Sequence, residues 1–255
     1  MKINQISAII TGGASGLGKA TAEIILKNGG KVFILDTQQE KGEEFAKTKG
    51  KSCYFLLTDV TNEKAIKDNL MLAKEKLGKI NLAVNCAGVG VPEKILGKEK
   101  VHSTTSFEKV IKINLTGTFN TIKFVAGIMQ KNVPNEEGFK GLIVNTASIA
   151  AYDGQIGQAA YSASKGAIVA MTLPIARELA RYGIRVCTIA PGLFETPMME
   201  GLPEKAYKSL IDSTIYPKRL GVPYEYAKLV LSIYENNMLN GETIRLDGSL
   251  RLGPK

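Results

Sequence analysis

The sequence is poor in the side chains that metal and disulfide chemistry require. Its one histidine, His102, lies in a polar, lysine-containing stretch, where a surface position is expected and no second imidazole can join it at a metal. Three cysteines, Cys53, Cys86 and Cys187, are far apart and form no CxxC pair, which excludes a disulfide framework and predicts free thiols in a reducing compartment. No apolar run is long enough for a transmembrane helix. The first strand begins within about seven residues of Met1, so no cleavable signal or transit peptide is expected ahead of it. Acidic residues are outnumbered, 24 against 33 basic, and the resulting +9 disposes the surface to anions. Aromatic residues do not interleave with the basic ones, so unaided nucleic-acid binding is not expected. No repeat or linker divides the 255 residues, and 1–255 reads as one domain.

What is present is an alternation of apolar runs and amphipathic stretches. SAIIT at 7–11 leads into GGASGLG and then KATAEIILKN, the order strand, glycine loop, helix that a dinucleotide site requires. Glycines at 12, 16 and 18 allow a tight turn and let a pyrophosphate approach the free N–H groups at the helix start. KVFILD ends in Asp36, whose carboxylate suits both hydroxyls of an adenosine ribose and would repel a 2′-phosphate, predicting NAD over NADP. The competing role for Asp36 is a cap on the helix that follows. CYFLLTDV carries Asp59 just past its end, placed for an adenine edge, as the cap of TNEKAIKDNLMLAKEKL, or both. INLAVNCAG breaks at Asn85, Ala87 and Gly88, where small residues and an amide suit close passage of a cofactor.

A polar insertion at 89–106 precedes a long helix expected over 107–131, with Asn114 an amide among apolar neighbours. GLIVNTAS is a fifth strand, AAYSASKGAIVAMTLPIARELA a helix in which Pro174 predicts a kink, and IRVCTIAPG a sixth strand ending at Pro191 and Gly192. The stretch 193–222 holds prolines, a methionine pair and little clear periodicity, and reads as a substrate loop. PYEYAKLVLSIYEN and GETIRLDG supply a closing helix and a last strand. The pattern predicts an α/β Rossmann fold, a doubly wound sheet of about seven mostly parallel strands with helices on both faces.

The chemistry is concentrated between Ser148 and Lys165. Tyr161 and Lys165 are one helical turn apart, so their heads share a face, and an ammonium beside a phenol favours the phenolate. Ser148 closes an apolar run, which puts its hydroxyl at the C-terminal end of a buried strand, where open α/β sheets bind ligands. YxxxK alone occurs by chance in many helices; its company is what makes it informative.

In that company the sequence resembles the short-chain dehydrogenase/reductase family, essentially end to end. The family's TGxxxGxG stands as Thr11, Gly12, Gly16 and Gly18, its NNAG as Asn85, Cys86, Ala87 and Gly88, and its Ser, Tyr and Lys as Ser148, Tyr161 and Lys165. Cys86 in place of the second asparagine is the one departure. Within the family, GGASGLG, VNCAG, the insertion before Ser106, NTAS, GQAAYSASKG, MTLPIAREL, TIAPGLF and RLDG are similar to the type II 3-hydroxyacyl-CoA dehydrogenases, which also act on hydroxysteroids.

The resemblance implies an enzyme moving a hydride between (S)-3-hydroxyacyl-CoA, or a related hydroxysteroid or secondary alcohol, and NAD. It implies Asn114, Ser148, Tyr161 and Lys165 as the catalytic set, with Asn114 anchoring a water that passes the proton outward. It implies a cofactor site of Gly12, Ser15, Gly16, Leu17, Gly18, Asp36, Asp59, Val60, Asn85, Ala87, Gly88, Tyr161, Lys165, Pro191, Gly192 and Thr196, with Thr196 on the carboxamide. Substrate is expected at Ser148, Gln155, Tyr161, Leu193, Phe194 and Met198, with Met199 helping to cover the acyl chain and Lys94, Lys98 and Lys100 drawing in coenzyme A phosphates. A homotetramer is implied, built through the two long helices and the last strand. The alternatives are a 3-oxoacyl-carrier-protein reductase using NADPH, and a non-catalytic RNA-processing scaffold subunit. Mitochondrial members carry a longer N-terminal lead, so a bacterial cytoplasm is expected, with the mitochondrial matrix as alternative.

Overall fold

The computed structural model describes residues 2–199 and 204–254. Seven parallel strands form one sheet: β1 (Ser7–Thr11), β2 (Lys31–Asp36), β3 (Cys53–Leu57), β4 (Leu82–Asn85), β5 (Gly141–Thr146), β6 (Ile184–Pro191) and β7 (Thr243–Leu246). Their spatial order is β3-β2-β1-β4-β5-β6-β7, a doubly wound sheet with the seven strands that the sequence pattern predicts. Every residue of β1, β4, β5 and β6 is buried, which is why these strands read as continuous apolar runs: helices cover both faces. Alternate side chains divide between the two layers. Ile10, Ile34, Val84 and Val144 pack on one face, Ile9, Leu35, Ala83 and Ile143 on the other.

The helices are α1 (Gly16–Lys27), α2 (Gln39–Lys49), α3 (Glu63–Leu77), α4 (Thr104–Ile111), α5 (Gly117–Met129), α6 (Ala159–Ala180), α7 (Glu204–Ser213) and α8 (Pro223–Glu235). Strand order reverses between β1 and β4, so a crevice opens past Thr11 and Asn85 at the C-terminal edge of the sheet. The glycine loop, the Asn85–Gly88 turn and Ser148 all lie at that edge.

Several expectations change in detail. The helix expected over 107–131 starts at Thr104, capped by Ser103, and is interrupted at Lys112–Thr116 by a π turn that places Asn114. Helix α6 continues through Pro174 to Ala180; Pro174 and Ala170 both face solvent, so water can take the carbonyl that the proline leaves without an amide partner. Within 193–222, α7 appears where no periodicity was expected. Tyr207, Leu210 and Ile211 do repeat at helical spacing on its less exposed side, a pattern hidden by the flanking prolines.

The closing helix is fastened by a strand. Arg185 of β6 is buried, and its guanidinium donates to the carbonyls of Ile233 (2.9 Å), Tyr234 (2.9 Å) and Asn236 (3.1 Å) at the end of α8 and to that of Leu239 (2.7 Å) in the turn that follows. The first three are carbonyls that a helix end cannot satisfy internally. Arg185→Met is expected to lower the unfolding free energy by about 3 kcal/mol or more in urea titrations, because it strands several buried acceptors at once. A loss below about 1 kcal/mol would show that water replaces the guanidinium.

Candidate active site

The glycine loop is shaped by contacts rather than by flexibility. Gly12 has φ of +66°, and a Cβ there would lie 2.6 Å from the amide nitrogen of Ala87. A Cβ on Gly18 would meet the carbonyl oxygen of Gly12 at 2.3 Å. Only hydrogen fits at either position, so β1, the start of α1 and the Asn85–Gly88 turn close together, and the free amides of α1 face the crevice. A cradle this tight, ending in a helix N-terminus, fits a dinucleotide pyrophosphate. Thr196 and Pro197 close the far side of the loop, with a Cβ on Gly16 3.5 Å from each, and the cavity between them and α1 has a volume of about 610 Å³.

Asp36, at the end of β2, is 7% exposed. Its Oδ2 accepts from the amide of Ala14 at 3.0 Å and its Oδ1 from that of Gln38 at 3.0 Å. It therefore braces the glycine loop, and the cap position of α2 belongs to Gln38, not to Asp36. Each carboxylate oxygen keeps lone pairs for ribose hydroxyls. Asp59 accepts from the amide of Thr61, while the cap of α3 is Asn62, which accepts from Ala65; the helix-cap reading of Asp59 is corrected accordingly. Val60 is buried, its side chain filling the space beside Gly117.

Ser148, Tyr161, Lys165 and Asn114 are brought together past the end of β5. The 3-10 turn Ile149–Ala151 starts at Ser148, whose Oγ accepts from Ala150. A short loop then leads to α6, whose first turn holds Tyr161. Lys165 is 5% exposed; its ammonium lies 5.8 Å from the Tyr161 ring centroid and donates to the carbonyl of Thr146 at 2.7 Å. Gly88 is adjacent: a Cβ there would be 3.2 Å from Asn114 Oδ1 and 3.5 Å from Lys165 Nζ.

Burial dominates the protonation of this pair. It raises the Tyr161 phenol above its ordinary value, against a smaller pull from the Ser148 hydroxyl. It lowers the Lys165 ammonium to about 8, with the Cys86 thiol pulling weakly the other way. The lowering of the tyrosine by its lysine, expected from spacing alone, is thus reversed, because the loss of water around the phenolate outweighs a charge that is directed at Thr146. Burial thus favours the protonated form of the Tyr161 phenol.

Asn114 is fully buried. Its Nδ2 donates to the Val89 carbonyl (2.9 Å) and to Ser164 Oγ (3.0 Å), and its Oδ1 accepts from the Val89 amide (2.8 Å). Both amide hydrogens are committed, and its main-chain carbonyl takes the Thr118 hydroxyl. The residue clasps the turn after β4 to α6, and a lone pair on Oδ1 is what its amide leaves for a water.

The substrate side divides. Phe194, expected over an acyl chain, is 6% exposed and packs on Gly221 and the α1/α8 core, so its ring anchors the loop instead. Leu193 is half-buried, Met199 faces the α1 cavity, and the side chain of Met198 lies outside the described residues. Gln155 donates to the carbonyl of Gly253 (3.2 Å) and exchanges hydrogen bonds with Gln158. Ile156 donates to Pro254, and Arg245 bridges Asp153 and Asp247, so the C-terminal residues hold the loop ahead of Tyr161. No sequence signal marked that role.

The insertion is ordered from within. Glu93 accepts from Ser103, its own amide donates to Gly157, and the side chain of His102 is only 8% exposed, edge-on to Phe107, where a surface position was expected. Lys94, Lys98 and Lys100 are exposed around this frame.

A dinucleotide cradle and a serine, tyrosine and lysine at one sheet edge define a nicotinamide-dependent oxidoreductase, and the chain belongs to the short-chain dehydrogenase family, whose model matches residues 7–206. Over 99% of its length it is 54% identical to 3-hydroxyacyl-CoA dehydrogenase type-2 of Drosophila melanogaster, all of which it spans. It is 53% identical to the human protein of that name, over 99% of this chain and 97% of that one. The crystal structure of 3-hydroxyacyl-CoA dehydrogenase type-2 from Mycobacterium avium superposes with a TM-score of 0.93 at 40% identity, covering 97% of this chain and 96% of that one. Among the described residues, no helix is long and apolar enough to cross a membrane.

The buried lysine makes stability depend on pH. Below about pH 8 folded and unfolded chains both carry the proton, and the cost of burying it is full. Between about 8 and 10.5 only the unfolded chain keeps it, so wild-type stability gains as pH rises through that window. Lys165→Met removes the titration. Its stability relative to wild type is expected to fall by about 3 kcal/mol from pH 7 to 10.5 in urea titrations, and a pH-independent difference would refute the depressed lysine.

Proposed function

We propose that the protein is an NAD-dependent dehydrogenase interconverting (S)-3-hydroxyacyl-CoA and 3-oxoacyl-CoA, with hydroxysteroids or other secondary alcohols as related substrates. The observation that carries this reading is the convergence of Ser148, Tyr161 and Lys165 past β5 in a chain 54% identical, over its whole length, to a dehydrogenase of that name.

When bound, the nicotinamide ring supplies or accepts the hydride. The chain's own part is to place and protonate the substrate oxygen. In reduction Tyr161, a neutral phenol, donates its proton to the carbonyl oxygen; in oxidation it takes the hydroxyl proton back. The Ser148 hydroxyl donates to the same oxygen as charge develops there. With a dinucleotide bound, Lys165 would offer its ammonium to ribose hydroxyls, and its charge favours the phenolate once the proton has left. Asn114 fixes the turn at Val89 against α6 and anchors, through Oδ1, a water that carries the proton outward. Thr196 would hold the carboxamide.

NAD as the dinucleotide rests on Asp36, whose buried carboxylate leaves no room for a second negative charge at the ribose. Asp36→Asn is expected to lower the preference for NAD over NADP by tenfold or more in kcat/KM. A native preference for NADPH would instead favour the reading as a 3-oxoacyl-carrier-protein reductase, the name carried by a Thermotoga maritima relative 35% identical over 98% of this chain.

The exposed Lys94, Lys98 and Lys100 stand on an insertion whose Glu93 is bonded to Gly157, next to the loop ahead of Tyr161. That attachment supports their attraction of coenzyme A phosphates. Reversing all three charges is expected to raise KM for acetoacetyl-CoA severalfold and leave a short alcohol unaffected; equal losses on both would sink the assignment. Assembly as a homotetramer through α5, α6 and β7 is supported by the exposed Phe119 and Leu173 and by the edge position of β7.

The primary test is NADH oxidation with acetoacetyl-CoA. Tyr161→Phe is expected to lower kcat by about 10²–10⁴-fold with KM little changed. Turnover at the wild-type rate would remove the phenol from the mechanism.

A further inference from the structure

Lys165 is the one charged group in the catalytic set, and what fixes its head is a single main-chain oxygen. That oxygen belongs to Thr146, the last residue of β5, 2.7 Å from Nζ. The side chain of the same threonine, 8% exposed, is held in turn: its Oγ1 lies 2.7 Å from the hydroxyl of Tyr226. Tyr226 comes from α8 and is fully buried, among the largest buried side chains of the protein. Cys86 closes the third side, with its sulfur 3.5 Å from Thr146 Oγ1 and 3.7 Å from the Tyr226 hydroxyl. This thiol stands where the family pattern has its second asparagine. A thiol is a weak hydrogen-bonding group, so the short bond between Thr146 and Tyr226 is the strong one of the cluster.

We propose that Tyr226 is a positioning residue for Lys165, acting through the hydroxyl of Thr146 on the carbonyl that holds the ammonium. The inference rests on the dehydrogenase reading above. A bland role, in which a buried tyrosine simply finds an acceptor, would be met by any nearby carbonyl. Here the partner is the side chain of the very residue that anchors the catalytic lysine. The tyrosine also follows directly on the root of the substrate loop. Glu225, its neighbour, takes a bidentate bond from Arg219 (2.9 and 2.8 Å) and accepts from the amide of Val222 at 2.9 Å, which fixes the start of α8 to the end of the 193–222 stretch. Phe194 packs against Gly221 at the same point. How the substrate loop is rooted is thereby linked, through one side chain, to where the lysine sits. Misplacing a positioned group by a fraction of an ångström is enough to slow the chemistry while leaving binding intact.

The test is a double-mutant cycle of Tyr226→Phe and Thr146→Val, with Thr146→Ser as the conservative control. Each of the first two is expected to lower kcat about five- to twentyfold, to change KM for NADH and acetoacetyl-CoA by less than about twofold, and to move the pH limb of kcat by about half a unit. The double variant is expected to be no slower than the slower single one, because both remove the same bond. Thr146→Ser, which keeps the hydroxyl, is expected to remain within about twofold of wild type. A readout free of turnover is the titration of Lys165 in ε-¹³C-lysine-labelled protein by NMR, expected to shift in Tyr226→Phe and not in Thr146→Ser. Wild-type kcat and an unmoved lysine titration in Tyr226→Phe would overturn the proposal, as would multiplicative losses in the double variant. Absence of turnover in the wild type would instead overturn the dehydrogenase reading and leave the NMR result to judge this one.

Discussion

A buried ammonium bonded to a strand-end carbonyl is the interaction on which the site depends. Removing a lysine head from water costs several kcal/mol unless donors find acceptors, and here the acceptor is the last carbonyl of β5. For that bond to form, α6 must lie against β5 and β6 at one height, and β5 must end level with β4. The sheet secures this through its register, in which Asn85 pairs with Asn145 across fully buried strands. Apolar burial sets the frame, and the frame then holds a charge where solvent would not leave it.

The same arrangement gives the tyrosine its character. Short spacing from a lysine suggested a phenol made acidic, but the geometry directs the ammonium elsewhere, and burial leaves the phenol protonated. A phenol that is neutral at rest can donate a proton, and its accepting one requires surroundings that favour the phenolate.

Legibility in the sequence followed the range of the interactions. The strands were readable because parallel strands covered on both faces are apolar throughout, and the glycine loop because Gly12 and Gly18 satisfy a steric demand that no other residue meets. The positions of Asp36, Ser148, Tyr161 and Lys165 at the sheet edge were legible because each sits at a fixed offset from such an element. Phe194 misled because an apolar residue in a loop looks the same whether it covers a ligand or roots the loop in the core. His102 misled because its polar neighbours say nothing of the Phe107 ring that shelters it. Tyr226 and Thr146 are 80 positions apart, and no local pattern announces a bond between them.

The C-terminal residues are joined to the loop ahead of Tyr161 by a side-chain bond from Gln155, a main-chain bond from Ile156 and the Arg245 bridge. A purification handle or fusion partner appended at that end would pull on the segment leading into α6, whereas one at the amino end would emerge at the opposite rim of the sheet. Enzyme prepared with the two placements is a natural pair of materials for separating the intrinsic substrate range from one altered by the engineered terminus.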